Sequence, residues 1–192
     1  MYDNGQGVAQ DYSAAMKWYQ MAADQEHAQA QYNLGVMYDN GQGVAQDYSA
    51  AVKWYRMAAD QGHAQAQCGL GVMYYKGHGV AQDYSAAMKW YRMAADQEFA
   101  QAQCNLGVMY YEGHGVAQDY SAAMKWFRMA ADQGHAEAQY NLGVMYYQGQ
   151  GVPQNTSEAL RWLHKAQVQG HEGAKQAIQL IMQDIRKKRA AQ

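Results

Sequence analysis

Apolar and small residues run along this chain in two helical stripes separated by glycine-bearing breaks, and the whole pattern returns every 36 residues. Between His63 and Gln97, the residues Ala64, Ala66, Gln67, Leu70, Gly71, Met73 and Tyr74 fall at three- and four-residue spacings, which predicts a first helix. Gly77-His78-Gly79 is expected to stop it, because glycine adopts the left-handed conformation of a helix C-terminus without steric cost. Val80-Ala81-Gln82 then forms a short connector, and Asp83 suits an N-cap whose carboxylate accepts orphan backbone N–H groups. A second stripe follows at Ala86, Ala87, Trp90, Tyr91, Ala94 and Ala95. Each unit therefore reads as an αα-hairpin of two helices, each roughly 12–14 residues long.

A fixed period of this length marks a solenoid, in which each unit packs only on its neighbours and presents an extended surface. Trp18, Trp54, Trp90, Trp126 and Trp162 mark one position in successive units, and Met1, Met37, Met73, Met109 and Met145 mark another. We read residues 1–192 as a single array: a truncated repeat at 1–26, repeats at 27–62, 63–98, 99–134 and 135–170, and a capping helix at 171–192. Glycine inside a helix costs about 1 kcal/mol relative to alanine. Its return at Gly35, Gly71, Gly107 and Gly143 thus points to close packing, with Trp90 expected to fill the space beside Gly71 and Ala87. Ala174, Ala177, Ile178, Ile181 and Ile185 predict a one-sided lid, with Gln179 where the glycine would recur. In the last repeat, Asn155 and Glu158 are spaced for a capping box. Met1-Tyr2 corresponds to Met37-Tyr38, so the first unit is expected to lack the opening turns of its first helix. Its second helix, around Tyr12 to Ala23, should then expose apolar surface that stacks on another chain.

The unit reads Leu34-Gly35-x-x-Tyr38-x-x-Gly41-x-Gly43-Val44-x-x-Asp47-x-x-x-Ala51-x-x-Trp54-Tyr55-x-x-Ala58-Ala59-x-x-Gly62. It resembles the Sel1-like repeat, a branch of the tetratricopeptide superfamily, over most of the chain. The chain departs from the pattern at Glu26 and Glu98, which replace the glycine of Gly62, Gly134 and Gly170, and at Phe99, which stands where other units have histidine. The resemblance implies an all-α, right-handed superhelix with the first helix of each pair lining the concave side. It also implies an adaptor or scaffold role, and a bacterial periplasmic or secreted location if an export signal precedes Met1.

Positions that vary between otherwise repeated units indicate where a partner would sit. These are Tyr32, Cys68, Cys104 and Tyr140; Asn33, Gly69, Asn105 and Asn141; Asp39, Tyr75, Tyr111 and Tyr147; and Asn40, Lys76, Glu112 and Gln148, all on first helices. By the resemblance, most would face the concave groove. Tyr75, Tyr111 and Tyr147 would then form an aromatic ladder suited to an extended peptide or an amphipathic helix. The alternative is that these tyrosines pack between repeats. The expected partner-binding residues are Tyr32, Asp39, Asn40, Tyr75, Lys76, Asn105, Tyr111, Glu112, Tyr140, Asn141, Tyr147 and Gln148.

Composition narrows the chemistry. The formal net charge is −2, which gives no general attraction to nucleic acid or anionic lipid. No apolar run approaches the ~20 residues that span a membrane. Gly77-x-Gly79 and its counterparts have no preceding strand and no following Gly-Lys-Ser/Thr, so they read as helix stops rather than phosphate loops. His63, His135 and His171 recur one at a time along the array, too sparsely for a metal site. Cys68 and Cys104 read as reduced packing residues. Arg56 with Asp60 and Arg92 with Asp96 have the spacing of surface ion pairs, and Arg186-Lys187-Lys188-Arg189 that of a solvated helix end. No cofactor, metal or catalytic residue is expected. The leading function is a non-enzymatic scaffold holding a protein segment. Binding of peptidoglycan or another glycan, hydrolysis, and an engineered array without a native partner are the alternatives.

Overall fold

The computed structural model describes residues 11–190, and all regular elements among them are helices. The truncated first helix expected before Tyr12 lies outside the described residues, as do the last two residues of the expected capping segment. The chain divides into two compact units, Met1–Gln97 and Glu98–Gln192. The first holds α1 (Tyr12–Ala23), α2 (Ala28–Asn40), α3 (Tyr48–Asp60), α4 (Ala64–Lys76) and α5 (Tyr84–Ala95). The second holds α6 (Ala100–Glu112), α7 (Tyr120–Asp132), α8 (Ala136–Gln148), α9 (Thr156–Val168) and α10 (Glu172–Ala190). The predicted hairpins are α2–α3 and α4–α5 in one unit, and α6–α7 and α8–α9 in the other.

The stops and starts follow the expected chemistry. Gly77 ends α4 at φ 71°, and its N–H donates to the Met73 carbonyl. The connector closes when the Asp83 N–H donates to the Tyr74 carbonyl at 3.0 Å. The Asp83 carboxylate then accepts from the Ala86 N–H at 2.9 Å, and Asp11, Asp47 and Asp119 cap their helices in the same way. Asn155 likewise accepts from the Glu158 N–H at 3.0 Å, but the capping box is only half formed. The Asn155 N–H is already committed to the Tyr146 carbonyl, and the Glu158 carboxylate turns to Arg161 at 3.3 Å.

The recurrent mid-helix glycine is explained by a bulky side chain of the following helix, and at Gly71 that residue is Tyr91 rather than the expected Trp90. A Cβ built on Gly71 would lie 2.6 Å from the Tyr91 ring. The corresponding contacts are Gly35 with Tyr55, Gly107 with Phe127 and Gly143 with Leu163. Trp90 points instead into the cluster of Ala51, Val52, Tyr55, Ala58 and Ala59 on the preceding hairpin. Arg56, expected beside Asp60, turns to the Tyr74 hydroxyl and ring.

The ends of the described structure differ. On α1, Trp18 is 59% exposed and Met21 is also exposed, so this helix shows the apolar surface the sequence predicts. At the other end, Ala174 and Ile181 of α10 pack with Leu163 and Ala166, flanked by Ala177, Ile178 and Ile185. Its outer side carries exposed Gln176, Gln179, Gln183, Arg186 and Lys187, together with exposed Leu180 and Met182.

Glu26 and Glu98 keep the backbone of the glycine they replace, at φ 63° and 61°. A side chain in the left-handed region costs about 1–2 kcal/mol, offset in part by the entropy that glycine restores to the unfolded chain. Glu98→Gly is therefore expected to stabilise the protein by up to about 1 kcal/mol, read as a higher urea midpoint at unchanged slope. Gly71→Ala should do the opposite, because overpacking costs typically 1–3 kcal/mol against a gain of about 1 kcal/mol in helix propensity. Gly69→Ala, on the same helix with its nearest ring atom at 3.4 Å, is the control and should be neutral or stabilising. Equal effects at Gly69 and Gly71 would refute the close-packing account.

Candidate partner-binding face

Within each unit, buried glutamines fix the position of the first helices. In the N-terminal unit, buried Gln67 on α4 donates its amide to the Ala59 carbonyl at the end of α3, at 3.1 Å. Its Oε1 accepts from the Gln97 amide, just beyond α5, at 2.8 Å. Gln31 does the same between Ala23 and Gln61, and in the C-terminal unit Gln139 does so between Ala131 and Gln169. Each of these carbonyls lies at a helix C-terminus, where it accepts one N–H from the following turn, and the glutamine amide takes its second acceptor position. Sequence reasoning placed Gln67 in the apolar stripe without a role. The available signal was the pairing of a repeated glutamine inside that stripe with a second repeated glutamine 30 residues later.

A second set of bonds joins the exposed edges of consecutive hairpins. The His63 Nδ1 accepts from the Ala66 N–H at 3.2 Å and so caps α4. Nδ1 is the acceptor, so the ring proton sits on Nε2, which donates to the Gln29 Oε1 of α2 at 3.2 Å. His135 repeats this with Ala138 and Gln101, and His171 with Ala174 and the Glu137 carboxylate at 2.8 Å. The His63 ring stacks on Tyr32 with centroids 4.9 Å apart, and His171 stacks on Tyr140 at 4.6 Å. Phe99 and His27 stand at the same helix start, and neither makes a side-chain cap.

The twelve expected residues all lie on first helices, and their surroundings differ. In the N-terminal unit, Asn40 and Lys76 are exposed, while Tyr32, Asp39 and Tyr75 are half-buried. The Tyr55 hydroxyl donates to Asp39 at 3.2 Å, and burial, then the Asp39 charge, raises the Tyr55 pKa. Burial also raises the Tyr32 pKa. Tyr75 meets Tyr84 edge-on at 5.2 Å. In the C-terminal unit, Glu112 and Gln148 are exposed, and Asn105, Tyr111, Tyr140, Asn141 and Tyr147 are half-buried. The Gln101 amide donates to Asn105 at 3.1 Å, and Glu112 lies 3.0 Å from His114. Tyr111 packs against Tyr120 at 5.2 Å and donates its hydroxyl to Gln150 at 2.9 Å. Tyr147 donates to Asp184 on α10 at 2.9 Å, a bond that raises the phenol pKa and lowers that of the carboxyl. Each unit therefore presents aromatic surface whose orientation is held by its own neighbours. Among the described residues, no group of three His, Cys, Asp or Glu is arranged to hold a metal ion. Cys68 and Cys104 are buried and outside any disulfide.

The caps make stability depend on pH. Burial lowers the pKa of His63 and of His135 in the folded protein. As the pH falls through the ordinary value of about 6.5, the unfolded chain takes up protons before the folded one does. Stability is then complete above that pH and is lost below it, since a protonated Nδ1 cannot accept from the helix. His135→Asn keeps a capping oxygen without a titrating group. The urea midpoint of this variant between pH 7 and pH 5 should fall less steeply than that of the wild type; parallel slopes would remove the cap from the account.

The Sel1 repeat family matches residues 1–27, 28–63, 64–99, 100–135 and 136–167. Among solved structures, a protective antigen present in uropathogenic Escherichia coli strains, which displays an SLR fold, is 42% identical with a TM-score of 0.85. That match covers 90% of this chain and 37% of the antigen. A Sel1 repeat protein from Oxalobacter formigenes is 38% identical with a TM-score of 0.86, over 90% of this chain and 69% of its own. Helicobacter pylori cysteine rich protein B, at 22% identity and a TM-score of 0.53 over 66% of this chain and 96% of its own, shares the fold alone. A search of curated proteins gives no match. Sel1 repeat proteins are generally protein-interaction scaffolds, and no described helix here is long and apolar enough to cross a membrane. With five repeats matched along nearly its whole length, the chain belongs to the Sel1 repeat family and to the all-α solenoid class of that family.

Proposed function

We propose that the protein is a non-enzymatic scaffold that holds a segment of a partner protein against the first-helix faces of its repeats. The observation that carries this reading is the half-buried state of Tyr75, Tyr111 and Tyr147. Each ring is fixed by a neighbour and still has surface to offer, so little side-chain entropy is lost on binding. Tyr combines large contact area with a polar tip, a composition favoured at interfaces. Around them, Asn40, Lys76, Glu112 and Gln148 are exposed and differ from repeat to repeat, which gives each repeat its own polar contact. Tyr32, Asp39, Asn105, Tyr140 and Asn141 complete the binding set. The partner class is a peptide or protein segment, and the apolar edge at Trp18 and Met21 offers a second place for self-association.

The test uses a peptide selected on the wild-type protein from a random display library. A Tyr75/Tyr111/Tyr147 triple alanine variant that retains its helical circular dichroism should bind this peptide at least tenfold more weakly, about 1.4 kcal/mol. Unchanged affinity in the folded variant would overturn the assignment of the face.

A further inference from the structure

The repeats at 27–62, 63–98 and 99–134 each carry methionines at two positions with opposite environments. Met57 on α3 is 44% exposed, and Met21 on α1, Met93 on α5 and Met129 on α7 occupy the same position and are exposed as well. Met73 on α4 is 1% exposed, packed with Ala66, Leu70 and Trp90, and Met37, Met109 and Met145 are equally buried. A thioether is oxidised to the sulfoxide where an oxidant reaches it, and the product is polar. Access therefore separates the two rows.

The outer position also suits the oxidised side chain. An exposed lysine stands four residues before each outer methionine, at Lys17, Lys53, Lys89 and Lys125. Residues at this spacing share a helix face, and a helical side chain leans over the preceding turn. A sulfoxide oxygen on Met57 would thus extend toward the turn that carries the Lys53 ammonium, a strong donor. The turn itself is held without the sulfur, since the Gln97 amide donates to the Met93 carbonyl and the Gln133 amide to the Met129 carbonyl, each at 3.4 Å.

We propose that Met57, Met93 and Met129 are sites of reversible sulfoxidation by peroxide, on a fold that the modification leaves intact. A sulfur lone pair attacks one oxygen of hydrogen peroxide; the S–O bond forms as the O–O bond breaks. The second oxygen takes up the proton of the first and leaves as water. Sulfur loses two electrons and the peroxide gains them. At Met73 the same oxygen would be placed, without a donor, among apolar side chains.

The experiment treats the full chain with dilute hydrogen peroxide, quenches at intervals and maps sulfoxide by peptide mass spectrometry, with circular dichroism in parallel. Met57, Met93 and Met129 should oxidise at least tenfold faster than Met73 and Met109. Helicity should persist once they are converted, and the paired methionine sulfoxide reductases should restore the mass. A Met57/Met93/Met129 triple leucine variant should lose the fast phase at those positions and keep its helicity. Equal rates in the two rows, or helicity lost in step with oxidation of the outer row, would overturn the proposal.

Discussion

The structure depends on how a buried amide is satisfied. Gln67 sits among apolar side chains, where an unpaired polar group costs several kcal/mol. Its place is stable because one end meets the Ala59 carbonyl and the other the Gln97 amide. Hydrophobic burial alone would let stacked helices slide, since it is non-directional. The glutamine fixes the height at which α4 sits against α3, and Gln97 ties the end of α5 to the same side chain. The exposed faces of the first helices inherit that registration.

The aromatic contacts act on the same scale. The Tyr91 ring packs against Gly71, so the two helices of a hairpin approach closely at the point where glycine would otherwise weaken α4. Phe127 and Leu163 take the same place over Gly107 and Gly143, so the contact needs bulk and planarity or branching more than a hydroxyl. Where the hydroxyl is present and buried, as in Tyr55, it finds Asp39. The proposed binding face is thus bonded to the core at Asp39, and its composition is constrained by packing.

The helices, their caps and their stops were legible because they rest on local signals: helical spacing, Asp before a stripe and Gly after it. The one-sided α10 was legible for the same reason. Contacts that join helices were less so. Trp90 is the largest residue of its stripe and looked like the filler for Gly71, yet the neighbouring position faces the glycine because a rotation of about 100° per residue decides which side chain points inward. The capping box failed because the Asn155 N–H was needed by the connector. The twelve proposed face residues were selected by their variation between repeats, while the bonds orienting Tyr111 and Tyr147 come from Gln150 and Asp184, 39 and 37 residues away, and no short-range pattern announces them.

The glutamine bond has one more consequence, for how such a chain can change in length. Gln31, Gln67, Gln103 and Gln139 are the same residue at the same phase, so one hairpin is a chemical substitute for another. Duplicating or excising one period leaves donor and acceptor matched at the splice, with no compensating substitution. At the next step of the series stands Lys175 on α10, which has donors and no acceptor. Copy number can therefore drift by recombination upstream of that lysine, while the lysine itself closes the reading frame of interchangeable parts.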